Sequence, residues 1–275
     1  MMRIRLATEA DLDAMTWVLI GASPLDPVYP YRFPDRHLYA DLFAELCRQK
    51  CAEYLTTSTV VVCEMASDSD PDDMKVIAFS AWDAPHLHCS IFGDGNVVGG
   101  MHSPRPKEKR RITNSRHVSE PLPSSTPSFP ITIGHRDRMN VFKNTCAAKK
   151  RELFDARYRP RGGHMFLKML LCHPEYQRRG AGRALTSWGI SEARRCRLDT
   201  TVFASPMGFE LYKKLGFREV ARFRVQLEGD EDFLEIPAMV LRPDASAYLD
   251  LDPCSPITEG FVCTTTTGAG MIACT

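Results

Sequence analysis

The chain has no pair of cysteines spaced C-x-x-C, no apolar run near bilayer length and no surplus of one charge. Its 275 residues carry 35 basic against 34 acidic side chains, a net charge of +1. Each absence closes a class. Without paired cysteine spacing a structural zinc site has little support, and no metal is expected. A membrane span needs about 20 consecutive apolar residues, and none are present, so no membrane partner is expected. Residues 1–8, Met-Met-Arg-Ile-Arg-Leu-Ala-Thr, alternate charged and apolar side chains as a strand does, without the continuous apolar stretch of a secretory signal. No basic excess marks a nucleic-acid surface, so no nucleic acid is expected as partner. Both the G-x-x-x-x-G-K-[ST] loop and the G-x-G-x-x-G turn of nucleotide-binding folds are missing.

What is present is a chain able to bury one substantial core, with 44% hydrophobic residues. Its ten cysteines do not read as a disulfide framework. Cys47 and Cys51 sit four apart in a helical pattern, and Cys63, Cys172 and Cys196 fall in or beside apolar runs, where a reduced thiol acts as a small hydrophobe. Such usage predicts a cytoplasmic protein. Cys274, one residue from the end, is misplaced for prenylation.

Along the chain, residues 4–7 read as a strand, and Thr8 with Asp11 offers a capping-box pattern before a helix over 12–20. Residues 23–34 are proline-rich and read as a loop. Leu38, Leu42 and Leu46, with Phe43, Cys47 and Tyr54, predict an amphipathic helix over 35–55. Residues 59–65 and 75–82 read as a hairpin around an acidic turn at 67–73. Residues 93–135 then read as a flexible insertion containing a basic run at 105–111. A helix is expected over 140–158, with Phe142, Cys146, Leu153 and Phe154 on its buried side. Further helices are expected over 183–195 and 209–215, a strand over 200–204 and a hairpin of 223–227 with 238–241. Residues 246–275 read as a disordered tail behind a single domain over 1–245.

The densest chemistry lies between residues 164 and 182. An apolar run of strand length ends at Pro174, which lacks the N–H that a central ladder requires. It opens into Gln177-Arg178-Arg179-Gly180-Ala181-Gly182 and then a helix. Glycines at 180 and 182 permit backbone angles that let successive N–H groups converge on an anion. The following helix adds its positive N-terminal end at the same place.

This string resembles the Q/R-x-x-G-x-G/A signature of the GNAT superfamily of acyl-CoA-dependent N-acyltransferases. A second segment, Glu210-Leu211-Tyr212-Lys213-Lys214-Leu215-Gly216-Phe217, resembles the family's Leu-Tyr helix closing on Gly-Phe. The likeness is close over about residues 160–242 and fainter over 1–90. It implies a mixed α/β fold: a central, mostly antiparallel sheet flanked by helices, with two strands splayed to admit the cofactor. It also implies acetyl-CoA as acyl donor. Backbone groups of Leu170, Leu171 and Cys172 would pair with the pantetheine arm as an added strand would. Residues Gln177, Arg178, Arg179, Gly180, Ala181, Gly182 and Arg183 would hold the pyrophosphate, and Ser205 stands where the family often has a cofactor-binding Asn. Tyr212 is implied as proton donor to the departing thiolate.

A general base is left open among His164, His173, Asp83, Glu64 and water. Phe166 occupies the position where some relatives carry Glu, with Lys168 beside it, and both histidines read as surface or loop residues. The aromatic set Tyr29, Tyr31, Phe33 and Tyr39 is either an acceptor pocket or core. The function implied is transfer of an acetyl group to a small-molecule amine. Alternatives are a silent acyl-CoA-binding sensor or interaction partner, and a protein or peptide N-acetyltransferase.

Overall fold

The computed structural model describes residues 2–66, 74–84 and 134–243, with the backbone of 262–263. All but the last two residues of the insertion expected over 93–135, its basic run and most of the expected tail lie outside these residues. Among the described residues, eight strands form one sheet in the order β6-β7-β5-β4-β3-β2-β1-β8. They are β1 (Met2–Leu6), β2 (Thr59–Ala66), β3 (Met74–Asp83), β4 (Met165–Cys172), β5 (Thr200–Phe203), β6 (Arg218–Gln226), β7 (Phe233–Leu241) and β8 (Val262–Cys263). Every pairing is antiparallel except β4 with β5, as the mixed sheet expected from the sequence requires.

Helices cover both faces. On one, α1 (Leu12–Ala22) and α3 (Ala40–Thr57) pack through Met15, Val18, Leu19, Phe43, Cys47, Cys51 and Tyr54 onto Val60, Val62 and Phe79. On the other, α6 (Ala181–Arg195) and α7 (Pro206–Lys214) pack through Leu185, Ile190, Ala193 and Tyr212 onto Ile77, Trp82, Leu167 and Val202. A Cβ on Gly189 would fall inside the Trp82 indole, so α6 approaches β3 more closely than any side chain would allow. Thr8 and Asp11 do form the capping box, the Thr8 N–H donating to the Asp11 carboxylate at 2.7 Å.

Three expectations are corrected. The helix predicted from residue 35 begins at Ala40, and Leu38, counted in its apolar stripe, is 66% exposed. The proline-rich stretch read as a loop contains α2 (Val28–Arg32). Pro30 is tolerated there because it falls in the first turn, where its missing N–H has no intrahelical acceptor. Tyr29, Tyr31 and Phe33 are accordingly buried, whereas Tyr39 is exposed.

His164, read as a surface or loop residue, is the third: it does lie in the loop just before β4 but is buried, not on the surface. The helix α4 (Arg136–Lys150) passes through a π turn, Arg151–Asp155, into α5 (Ala156–Tyr158). That turn sets Asp155 against the buried His164, Nε2 lying 2.9 Å from the carboxylate and Nδ1 lying 2.6 Å from the Thr201 hydroxyl. An ionised carboxylate only accepts, so Nε2 carries the hydrogen and the hydroxyl donates to Nδ1. Lys150 completes the cluster, 2.8 Å from Asp155 and 3.5 Å from Asp83. His164 is therefore a structural strut between the π turn, β4 and β5.

Two expected outcomes follow from this packing. Burial holds the His164 imidazolium below its ordinary range against the opposing pull of Asp155. Burial alone would raise the Asp155 carboxyl, but Lys150 and His164 hold it low. Both shifts favour the unfolded chain as proton binder on the acid side. Stability should thus fall as pH drops below about 6.5, the unfolded histidine value, and again below the ordinary aspartate range. In thermal unfolding from pH 8 to 5, His164→Gln should lower the melting temperature and flatten part of that slope; an unchanged slope would remove His164 from it. Gly189→Val should destabilise by about 1–3 kcal/mol in denaturant titration, through overpacking against Trp82.

Candidate functional site

The site begins where two strands stop agreeing. β4 and β5 pair in parallel over only Met165, Phe166 and Leu167, opposite Thr200, Thr201 and Val202. β4 then runs on to Cys172, while β5 ends at Phe203. On its other side β4 stays paired with β3 as far as Cys172, with a bulge that leaves Lys168 without an opposite residue between Leu167 and Met169. A bulge bends and twists its strand, and it lies at the point of divergence. Among the described residues, the backbone of Lys168 to Cys172 has no strand partner on the side facing β5. Leu170, Leu171 and Cys172, the residues assigned to the pantetheine arm, lie along this open edge.

The loop beyond is shaped by its backbone. Arg178 has φ 64° and Gly180 φ 98°, both left-handed. A non-glycine residue held there costs of order 1–3 kcal/mol and marks a conformation imposed by its surroundings. Alternation of right- and left-handed residues turns successive N–H groups inward into an anion-binding concavity. Gly180 is also the N-cap of α6 and has no side chain to cap it. The first amides of the helix, at Ala181, Gly182 and Arg183, therefore have no intrahelical acceptor and point at the same place. Gln177 ties the loop back to the strand, its Nε2 donating to the Cys172 carbonyl at 3.3 Å. The Arg178, Arg179 and Arg183 side chains are exposed.

Tyr212 lies on α7, 5% exposed, its ring 5.6 Å from Phe217 and close over Gly208, where a Cβ would come within 2.7 Å of it. Burial, with a smaller contribution from the charge of Asp26, pushes its phenol above the ordinary value near 10. The hydroxyl is therefore fully protonated at neutral pH. Ser205 caps the same helix, its Oγ accepting from the Gly208 N–H at 3.3 Å.

Of the candidate bases, Glu64 is committed elsewhere: it pairs with Arg3 at 2.7 Å and accepts from Arg5 at 2.8 Å across the β1–β2 ladder. His173, read as a surface or loop residue, lies in the loop after β4, where it is stacked on Trp17 at 3.6 Å with an interplanar angle of 11°, and burial lowers its pKa. Asp83 faces Lys150 at the far end of β4. The carboxylate that sequence reasoning missed is Asp26, between α1 and α2. Burial raises its pKa, against the Val28 N–H at 3.0 Å and the charge of Arg32, and its own charge reaches Tyr212. Set between Leu25 and Pro27, it carries no local signal beyond that of a turn. Burial also lifts the Cys172 thiol to about 11, opposed by Arg179.

Comparison with known proteins bears on the same elements. A family model described as an acetyltransferase (GNAT) domain matches residues 146–219, which hold β4, the loop, α6, β5 and α7. A relative named acetyltransferase, from Stachybotrys chartarum, is 30% identical over 231 residues, 82% of this chain and 85% of the relative. Among solved structures, one from the yellow fever mosquito Aedes aegypti, provisionally named arylalkylamine N-acetyltransferase 7, aligns with a TM-score of 0.51 at 14% identity. It covers 88% of this chain and 87% of that one. A structure described as histone acetyltransferase HPA2 and related acetyltransferase, from Corynebacterium glutamicum, gives 0.49 at 18% identity, over 88% of this chain and 96% of that one. The structural likenesses are of fold; the relative's identity extends over most of both sequences, and on it the chain belongs to the GNAT superfamily and is an acetyltransferase.

Proposed function

We propose that this enzyme carries the acetyl group of acetyl-CoA directly onto the amine of a small metabolite. The observation that carries this reading is the open edge of β4 leading into a loop already wound for an anion. One feature takes an amide-bearing arm as an added strand, and the next takes a pyrophosphate. Leu170, Leu171 and Cys172 would bind the arm through their backbones, and residues 177–183 the phosphates. Acetyl-CoA supplies an activated thioester; the protein supplies orientation and proton handling.

Direct transfer is favoured because Cys172, the cysteine on that edge, is held as a thiol, and the thiol is a poor nucleophile beside the thiolate. Asp26 is the group suited to take a proton from the incoming ammonium, since burial raises its carboxyl toward the working range of a base. Tyr212 acts as hydrogen-bond donor to the leaving sulfur. Its raised pKa makes full proton donation to a thiolate, whose acid has an ordinary pKa near 8.5, less favourable than hydrogen bonding. A small acceptor is favoured by the part-buried setting of Asp26 between α1 and α2.

Calorimetric titration with acetyl-CoA, against desulfo-CoA, ATP and NADH, is the direct test. Micromolar binding is expected for acetyl-CoA. Gly180→Val should weaken it at least about tenfold, or ~1.4 kcal/mol, because a β-branched residue disfavours φ 98°. Retained affinity would displace the phosphate site from this loop. Tyr212→Phe should leave binding near normal and lower turnover by about 10²-fold. Asp26→Asn should abolish the acid limb of the pH–rate profile, which in the parent enzyme lies above the ordinary aspartate range. Turnover on basic peptides with none on an amine panel would sink the metabolite reading.

A further inference from the structure

Arg32 ends α2 in surroundings unlike those of the other described arginines. Its guanidinium carbon sits 5.0 Å from the Tyr29 ring centroid, 5.2 Å from that of Phe33 and 4.7 Å from that of Phe142. The rings come from α2, the residue after it and α4, so the cation lies where those segments meet. Its charge is felt by Cys47 and Tyr54 of α3 and by Cys146 of α4, lowering the pKa of each against burial. Asp26, at the other end of α2, feels it in the same sense. Arg32 thus stands where α2, α3 and α4 converge, within electrostatic reach of the proposed base.

Its hydrogen bonding is incomplete. Nε donates to the Val28 carbonyl at 3.2 Å. Among the described residues neither terminal nitrogen has an acceptor, and no carboxylate lies within ion-pair distance. Arg138 is the instructive contrast. It also sits over an aromatic ring, Tyr31 at 4.9 Å, but its nitrogens engage Asp230 and Asp232 at 2.5 and 2.8 Å. A half-buried guanidinium walled by rings has lost much of its hydration, and its two terminal nitrogens form a planar fork that matches a carboxylate bidentately. Leaving such a charge unpaired is costly.

We infer that Arg32 is a specificity-determining residue that binds a carboxylate on the acceptor, so that the substrate class is amines carrying an acid group, with the amine toward Asp26 and the acid on Arg32. The inference rests on the amine-acetyltransferase reading above and narrows it. The three rings around the cation hold the guanidinium plane in place.

The test uses matched pairs that differ only in the acid: tyrosine against tyramine, and 6-aminohexanoate against hexylamine. Acetylation is followed with acetyl-CoA and the full chain, and binding of N-acetyltyrosine against N-acetyltyramine is measured by calorimetry. The acid-bearing member should be preferred at least about tenfold in kcat/KM, with the difference mainly in KM, equivalent to ~1.4 kcal/mol. Arg32→Gln should erase the preference while leaving acetyl-CoA affinity unchanged, and Arg32→Lys should retain part of it. Turnover of both members without preference, or a preference that survives Arg32→Gln, overturns the inference and leaves the amine reading intact. Turnover of basic peptides alone overturns both. Where no amine in the panel turns over, the binding comparison decides. Tighter N-acetyltyrosine supports the assignment, and equal or weaker binding refutes it, with no variant required to fold.

Discussion

Everything at the site depends on a ladder that closes for three residues and then opens. Parallel pairing of Met165–Leu167 with Thr200–Val202 anchors β4 and β5 in one sheet, and the bulge at Lys168 turns β4 away before β5 has run its length. A strand interior with unpaired N–H and C=O groups is normally costly, because each buried backbone group demands a partner. Here the demand is met on one side by β3 and left unmet on the other. The gap lies inside the sheet, between two neighbouring strands, and is not one of the outer edges at which sheets tend to add strands.

Holding that gap open requires stiffness around it. On one face the close approach of α6 to Trp82 at Gly189 keeps the loop at residues 177–183 and the sheet in fixed relation. The Trp82 indole N–H is itself satisfied by Ser80 at 2.9 Å. At the paired end, His164 links Thr201 of β5 to Asp155 of the π turn. The strands cannot close further along without disturbing one of these contacts, and cannot part at their joined end without breaking the other. A π turn inserts an extra residue into a helix and is often found where a side chain must be re-aimed; here it aims Asp155.

Much of this was legible in sequence. The β4 run, its stop at Pro174, the glycines of the loop and the Leu-Tyr helix are local patterns, and local patterns survive into the fold. The capping box at Thr8 and Asp11 and the buried thiols were readable for the same reason. What escaped depended on partners distant along the chain. Glu64 looks like a free acid on a strand until β1, some 60 residues earlier, brings Arg3 and Arg5 onto it. His164 reads as a polar residue at a strand start until Asp155 and Thr201 enclose it. Asp26 reads as a turn aspartate until Tyr212, nearly 190 residues later, lies near enough to feel its charge. The helix α2 was hidden by a proline whose effect depends on its position in the turn and not on its presence.

Arg178 carries a consequence of another kind. A residue with a Cβ held at φ 64° would relax if replaced by glycine, so the chain carries a small conformational debt in its loop at all times. That debt is met during folding, by the same packing that fixes α6 on the sheet. A ligand arriving later finds the concavity already ordered, and the entropy of shaping it has been moved out of the binding step. In the function proposed above, affinity at this loop is coupled to the stability of the whole domain. Substitutions that loosen the core at a distance should register as weaker phosphate capture before they register as unfolding.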